Sequence, residues 1–370
     1  MYRGGDSHHR GRGAVGVCRW FSVTEDTAPI RFDERFDEAR VAEYLRAVLG
    51  DELPEGPIEF EQFPGGAANL TYLARCGDRE LVLRRPPLGE TAKGSHDMER
   101  EHRVLSRLWR VFPKAPRAYH YCPNPTIMGK PFFVMERRSG HVIRSAWPPS
   151  LVDNDAARRH LAEDLVDTLA DLHLVVPNEV GLGDLGHPDG FVQRQVDGWL
   201  FRWDRAKTRE VPDMGRVAEL LSSSIPDAQS PSLLHNDFKL DNTMCDDEGT
   251  VVAVFDWDMA TRGDALIDLG TLLAYWVDPD GPTYPIFGDE AVTMTPFMSK
   301  AEVVERYASR TGFDLSNVRF YEALALYRIA VIIEQIYARY AAGQTADERF
   351  ARFEPLAPIL ASAAREILET

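Results

Sequence analysis

Leu233-Leu234-His235-Asn236-Asp237-Phe238-Lys239-Leu240-Asp241-Asn242, followed after a short polar interval by Val251-Val252-Ala253-Val254-Phe255-Asp256-Trp257-Asp258, is the stretch on which the reading of this chain turns. Its first part contains His-x-Asp-x-x-x-x-Asn, and Asp256 lies 14 residues past Asn242. The apolar run before Asp256 reads as a buried strand, and Asp246-Asp247-Glu248-Gly249 as the turn leading into it. Strand, turn and strand bring Asn242 and Asp256 close together. A polar loop whose acids merely cap turns is the competing reading. It leaves Asp256, at the end of an apolar strand, without a role.

This set of residues suits phosphoryl transfer. That reaction needs a carboxylate to orient and deprotonate an alcohol, and an Asn plus a second carboxylate for magnesium. Asp and Asn supply the hard oxygen ligands Mg²⁺ prefers, with substrate phosphates completing its shell.

The segment resembles the catalytic core of the aminoglycoside phosphotransferase and choline kinase group within the protein-kinase-like superfamily, and the likeness runs from Pro57 onward. The resemblance implies an α+β, two-lobed fold with a small antiparallel-sheet lobe and a larger, mainly helical one. It implies Asp237 as catalytic base, Asn242 and Asp256 as magnesium ligands, His235 as an organiser of the loop, and ATP as the phosphoryl donor. Lys239 matches a lysine that neutralises the transferring group; a solvated loop lysine is its plain alternative. Asp258 either assists the site or caps the next turn.

The same resemblance assigns parts to the small lobe. Gly65-Gly66-Ala67-Ala68-Asn69 is the loop expected over the phosphates, so Gly65, Gly66 and Asn69 are cofactor-binding candidates. Val82 and Arg84 share a strand face, Val82 to roof the base and Arg84 to reach phosphate. The superfamily prefers lysine there, so Arg84 is a departure, and Arg85 competes for the role. Glu101 is the expected acidic partner on the following helix, ahead of Glu99. Met135 and Glu136 lie at the interlobe hinge, where backbone groups would pair with adenine. His173 reads as a satisfied core histidine, and Asp264 and Asp268 as helix-start caps.

Periodicity places a helix from Asp33, with Val41, Leu45, Val48 and Leu49 on one side. Strands follow at 57–63, 70–76 and 80–84, then a helix capped by Ser95 and a strand at 131–136. Long helices are expected over 155–174, 320–341 and 347–368. The expected division is a disordered extension over 1–30, a nucleotide-binding lobe over 31–137, and a catalytic and substrate-binding lobe over 138–370.

The chain has 370 residues, 44% of them apolar and 27% charged, with a net charge of −16. Those are globular proportions. The acidity argues against nucleic acid and anionic membranes as partners. Thirteen acidic and two basic residues fall between His235 and Glu290, so the excess concentrates around the motif. Four scattered cysteines read as free thiols of a cytoplasmic protein. A homodimer is compatible with the sequence, which does not specify an assembly.

The acceptor is expected to be the hydroxyl of a small molecule. Val82-Leu83-Arg84-Arg85-Pro86-Pro87, Glu99 to Leu105 and Gly181-Leu182-Gly183-Asp184 are similar to the phosphotransferase domain found beside acyl-CoA dehydrogenase domains. That likeness implies a hydroxyacyl-CoA, with an aminoglycoside as the rival. Arg194, Arg202, Arg205, Lys207 and Arg209, interleaved with Trp199, Phe201 and Trp203, would suit an anionic, partly apolar acceptor; an amphipathic helix explains them equally well. A non-catalytic nucleotide-binding module is the alternative function, motivated by Arg84.

Overall fold

Asp37 accepts a hydrogen bond from the Arg40 amide and so starts helix α1 (Glu38–Leu49), whose buried stripe is Val41, Leu45 and Leu49. The structure, a computed structural model, describes residues 26–64, 69–89, 97–144, 146–229, 231–278, 298–345 and 348–370. After α1 come β1 (Glu59–Gln62), β2 (Leu70–Cys76) and β3 (Arg79–Arg85). Cys76 pairs with Arg79 across the two-residue turn Gly77-Asp78, where Gly77 takes a φ of 58°. Helix α2 (Met98–Leu108) follows, capped by Asp97 accepting from the Arg100 amide. The expected cap, Ser95, lies outside the described residues. Then come β4 (Ala118–Cys122), the single-turn helix α3 (Pro125–Met128) and β5 (Phe132–Glu136). The strands form one antiparallel sheet in the order β1-β2-β3-β5-β4.

Alternation across that sheet divides its core in two. Val82, Phe133 and Met135 face α2 and merge with the core of the large lobe. Leu81, Leu83, Phe132 and Val134 face α1 and close a second cluster with Val41, Leu45 and Tyr72. Two differences from the sequence reading stand out. Residues 26–30, assigned to an extension, are built into this lobe: Ala28 exchanges both backbone hydrogen bonds with Gln62 at 2.8 Å, and Ile30 is buried. Strand β4 was not anticipated, because Tyr119, His120 and Tyr121 are half-buried aromatic and polar residues without clear alternation.

The large lobe begins with α4 (Pro149–Val152) and α5 (Asp155–His173), then α6 (Phe191–Ala206) and α7 (Pro212–Ser223). Four short strands come next: β6 (Ser232–Leu234), β7 (Thr243–Cys245), β8 (Val251–Val254) and β9 (Thr261–Gly263). They pair as β6 with β9 and β7 with β8, both antiparallel. Helices α8 (Leu266–Tyr275), α9 (Lys300–Thr311), α10 (Val318–Ala341) and α11 (Leu356–Glu369) complete it. The helix expected over 347–368 starts later, at Leu356, after a 3-10 stretch at Glu348–Phe353. Helices α8 and α10 approach so closely at Gly270 that a Cβ there would lie 2.4 Å from the Tyr321 carbonyl oxygen. That approach sets α8 beneath the loop that follows β6.

Candidate active site

Strand β6 ends at Leu234, and the next two residues are gripped by a single carboxylate. Asp268 accepts the His235 amide at Oδ2 and the Asn236 amide at Oδ1, both at 2.7 Å. Asp268 is fully buried, and its Oδ2 also takes His173 Nε2 at 3.3 Å. Burial would raise this carboxyl's pKa, but His173 and the His235 amide outweigh it and hold it below the usual range. His173 is satisfied at its other nitrogen by the Tyr307 hydroxyl at 2.7 Å. It is therefore the core histidine expected, seated under the loop.

His235 is buried against Trp257, with ring centroids 4.8 Å apart. Its Nε2 meets the Phe255 carbonyl at 2.7 Å and its Nδ1 meets the Asp237 amide at 3.2 Å. A carbonyl only accepts and an amide N–H only donates, so the ring proton sits on Nε2. This imidazole thus fastens Asp237 to the end of β8. The Asp237 carboxylate takes Asn242 Nδ2 at 2.9 Å and lies 3.2 Å from Lys239 Nζ. Asn242 Nδ2 also donates to the Asp237 carbonyl at 2.8 Å, which leaves Asn242 Oδ1 as the atom for a cation.

Asp246 makes the anticipated turn by accepting the amides of Glu248 at 3.1 Å and Thr250 at 2.7 Å. The Phe255 amide then donates to the Asn242 carbonyl at 2.8 Å, so Asn242 and Asp256 lie side by side. Asp256 is in the left-handed region at φ 68°, which turns its carboxylate out of the strand line. Lys239 is held from three sides, by Asp237, by Asp241 at 3.8 Å and by the Tyr275 ring at 5.3 Å. Burial disfavours its charge, but Asp237, Tyr275 and Asp241 outweigh that and raise its pKa.

Across the cleft, Arg84 on β3 bridges two acids. Its Nη2 donates to Asp256 Oδ1, and its Nε lies 3.2 Å from Glu101 Oε2. Glu101, on α2, is buried, while Glu99 is exposed. Burial pushes the Glu101 carboxyl up to about 8; Arg84 works against that rise, while the negative charges of Asp256 and Asp258 add to it. For Asp256, burial works upward too, but Arg84 outweighs it and holds the carboxyl low. Arg85, the competitor, points the other way, as alternate residues of a strand must. It is buried against the rings of Phe36 and Tyr72 and donates to the Tyr72 hydroxyl and the Met128 carbonyl. Arg84 faces the site and Arg85 holds the small lobe together.

The remaining candidates are less concentrated. Asn69 is buried at the start of β2, and Gly65 and Gly66 lie outside the described residues. Met135 is buried on the cleft face beside Val82. The Glu136 amide is already given to the Arg117 carbonyl at 2.8 Å, so it is committed to the sheet rather than offered to a base. Its carboxylate takes the Arg117 amide and Arg138, each at 3.0 Å.

Asp268 corrects the sequence reading, which made it a helix cap. Asp264 does cap α8, accepting the Leu266 amide at 3.0 Å, but Asp268 sits one turn further in and clamps the loop. One signal was available: an acid inside the apolar run Ala265 to Leu273 is buried on both sides and needs donors. The basic and aromatic residues expected to meet an acceptor mostly serve α6 itself. Arg202 stacks on Trp199 and Arg205 on Phe201, Lys207 pairs with Asp204, and Arg209 reaches Glu334 on α10.

Residues 59–321 match the family model described as the phosphotransferase enzyme family. The chain belongs to that family. Among curated relatives it is 31% identical over 323 residues to acyl-CoA dehydrogenase family member 10 of Mus musculus, covering 86% of this chain and 30% of that protein. It is 28% identical to family member 11 of Gallus gallus, covering 94% of this chain and 45% of that one. The chain thus spans less than half the length of these relatives. A Ralstonia eutropha structure named for the aminoglycoside phosphotransferases superposes with a TM-score of 0.78 at 27% identity, over 90% of this chain and 99% of that one. An aminoglycoside phosphotransferase solved with AMP-PNP and hygromycin B shares the fold, with a TM-score of 0.57 at 16% identity, over 88% of this chain and 98% of that one. The chain therefore has the two-lobed, kinase-like α+β fold of that phosphotransferase family. Among the described residues no helix is long and apolar enough to cross a membrane.

Proposed function

We propose that this phosphotransferase moves the γ-phosphoryl group of ATP, with Mg²⁺, to a hydroxyl of a small molecule. The observation that carries the reading is the pair Asp237 and Asp256, set by the β7–β8 hairpin at one cleft, with Lys239 against the first and Arg84 against the second. Asp237 would orient the acceptor hydroxyl and take its proton, and Lys239 would offset charge on the transferring group. Asn242 Oδ1 and the Asp256 carboxylate are hard oxygens suited to Mg²⁺, which would neutralise charge on the donor phosphates. Arg84, a permanent cation anchored by Glu101, would approach phosphate in place of the usual lysine.

Asp256→Ala should weaken Mg·ATP binding by about tenfold or more, the loss of one charge-assisted contact. Calorimetry checks this, and unchanged affinity would remove Asp256 from the metal site.

Likeness to relatives named as acyl-CoA dehydrogenase family members favours a hydroxyacyl-CoA-like acceptor; the neighbour solved with hygromycin B keeps an aminoglycoside-like one as the rival. Protein side chains fit poorly, since the interval from Asp256 to Asp268 is filled by a 3-10 turn, β9 and the start of α8. A phosphoryl-transfer screen of hydroxyacyl-CoAs, aminoglycosides and amino alcohols decides among acceptors. Transfer to none of them, with Mg·ATP bound, would favour the non-catalytic module. A cytoplasmic site of action is part of the proposal and rests on the buried free thiols Cys76, Cys122 and Cys245.

A further inference from the structure

Arg328 lies on α10, 92 residues from the catalytic loop in sequence, and is buried there with only 9% of its surface exposed. Among the described residues it forms no salt bridge. Burying a guanidinium without a carboxylate is costly, so its position needs another cause. The contact it makes is specific: Nη2 donates to the Asn236 carbonyl oxygen at 2.6 Å. Its other face lies over the Trp199 ring of α6, 5.5 Å from the centroid.

The Asn236 carbonyl and the Asp237 amide belong to one peptide unit, and that unit is planar. Arg328 holds its oxygen, and His235 Nδ1 holds its N–H at 3.2 Å. The plane is thus pinned at both edges, from α10 on one side and from the loop's own histidine on the other. Asn236 also carries a left-handed backbone, φ 70°, a conformation asparagine tolerates better than most other non-glycine residues. Asp268 secures the amide of Asn236, and the Met259 carbonyl secures its side chain at 3.0 Å. Neither of them touches the peptide that carries Asp237.

We propose that Arg328 is a positioning residue that sets the orientation of the Asn236–Asp237 peptide, and through it the aim of the Asp237 carboxylate, with Trp199 holding the guanidinium in place. The inference rests on Asp237 acting as the base. Misaiming a reacting group by a fraction of an ångström to an ångström costs rate rather than ground-state binding.

The test uses the full chain and phosphate release from Mg·ATP with water as acceptor, alongside Mg·AMP-PNP binding. Arg328→Met should lower kcat by about 10- to 100-fold, with the KM for Mg·ATP and the AMP-PNP affinity unchanged. Arg328→Lys, which keeps a donor for the Asn236 carbonyl, should restore most of the rate. Trp199→Leu should lower kcat in the same direction with KM unchanged, and it supplies the test if Arg328→Met does not fold. A merely structural role predicts lowered thermal stability with kcat per folded molecule intact, and that result overturns the proposal. So does a loss confined to KM, or a lysine variant no better than the methionine one. Asp237→Asn serves as the reference. If it hydrolyses ATP like the parent, the reading of the site fails; if it is inactive while Arg328→Met and Trp199→Leu behave like the parent, only this inference fails.

Discussion

Replacing Asp237 with asparagine should lower phosphoryl transfer by about 10²- to 10⁴-fold, the range for loss of a general base, while Mg·ATP affinity stays close to the parent's. The two side chains are nearly the same shape, and the amide oxygen of the variant can still accept from Asn242 Nδ2, which now reaches Asp237 Oδ2 at 2.9 Å. What disappears is the capacity to take a proton and the charge that holds Lys239 Nζ at 3.2 Å. The freed lysine then has Asp241 as its remaining carboxylate partner, at 3.8 Å. The groups proposed to meet Mg·ATP, namely Arg84, Asn242 Oδ1 and the Asp256 carboxylate, are left unchanged by the substitution, so binding should be spared. Single-turnover transfer to an acceptor from the screen, with calorimetry for Mg·ATP, reads both quantities. Equal transfer by variant and parent would end the assignment of Asp237 as base.

Asp268→Asn should be the most damaging conservative change to the loop. Each carboxylate oxygen now serves a different backbone amide, His235 at Oδ2 and Asn236 at Oδ1. An amide side chain has one oxygen, so one of those N–H groups would face an NH₂ donor and be left unpaired. An orphaned buried donor costs about 1–3 kcal/mol, and the charge facing His173 is lost as well. The unfolding midpoint should fall by several degrees, and kcat should fall with it because the peptides preceding Asp237 are released.

The same residue predicts a pH effect. Its folded-state pKa is depressed, so its stabilisation is present above the unfolded carboxyl's value, about 4, and is lost as pH falls through the folded one. The parent and Asp268→Asn should therefore differ most near neutrality and converge in acid. Midpoints measured by calorimetry across that range check it. A gap that stays constant as the pH falls below about 4 would show that Asp268 does not contribute through its charge.

Local chemistry was legible where the residues are close in sequence. The spacing of His235, Asp237 and Asn242 and the turn at Asp246 fix a loop and hairpin by short-range hydrogen bonds, and the structure brings Asn242 beside Asp256 accordingly. Two-residue alternation in β3 separates Arg84 from Arg85, although only the packing shows that the Arg84 side is the cleft. Strand β4 is not legible because its half-buried aromatic and polar side chains carry no clear period, and residues 26–30 are not because a single bridge at Ala28 has no period at all. The basic stripe of α6 suggested an acceptor surface, yet stacking and ion pairs within its own neighbourhood account for most of it.

The sequence, with the family resemblance its motif carries, determined the two-lobed α+β architecture, the loop and hairpin that bring Asp237, Asn242 and Asp256 together, and the choice of Glu101 over Glu99 as the acid on α2. Only the tertiary structure decided what Asp268 and Arg328 do. Both come from helices that follow the loop, and both act on backbone groups, which every residue possesses and no motif records. A side chain that binds a carbonyl or an amide leaves no pattern at its target, so its role becomes visible only when folding brings donor and acceptor within hydrogen-bonding distance.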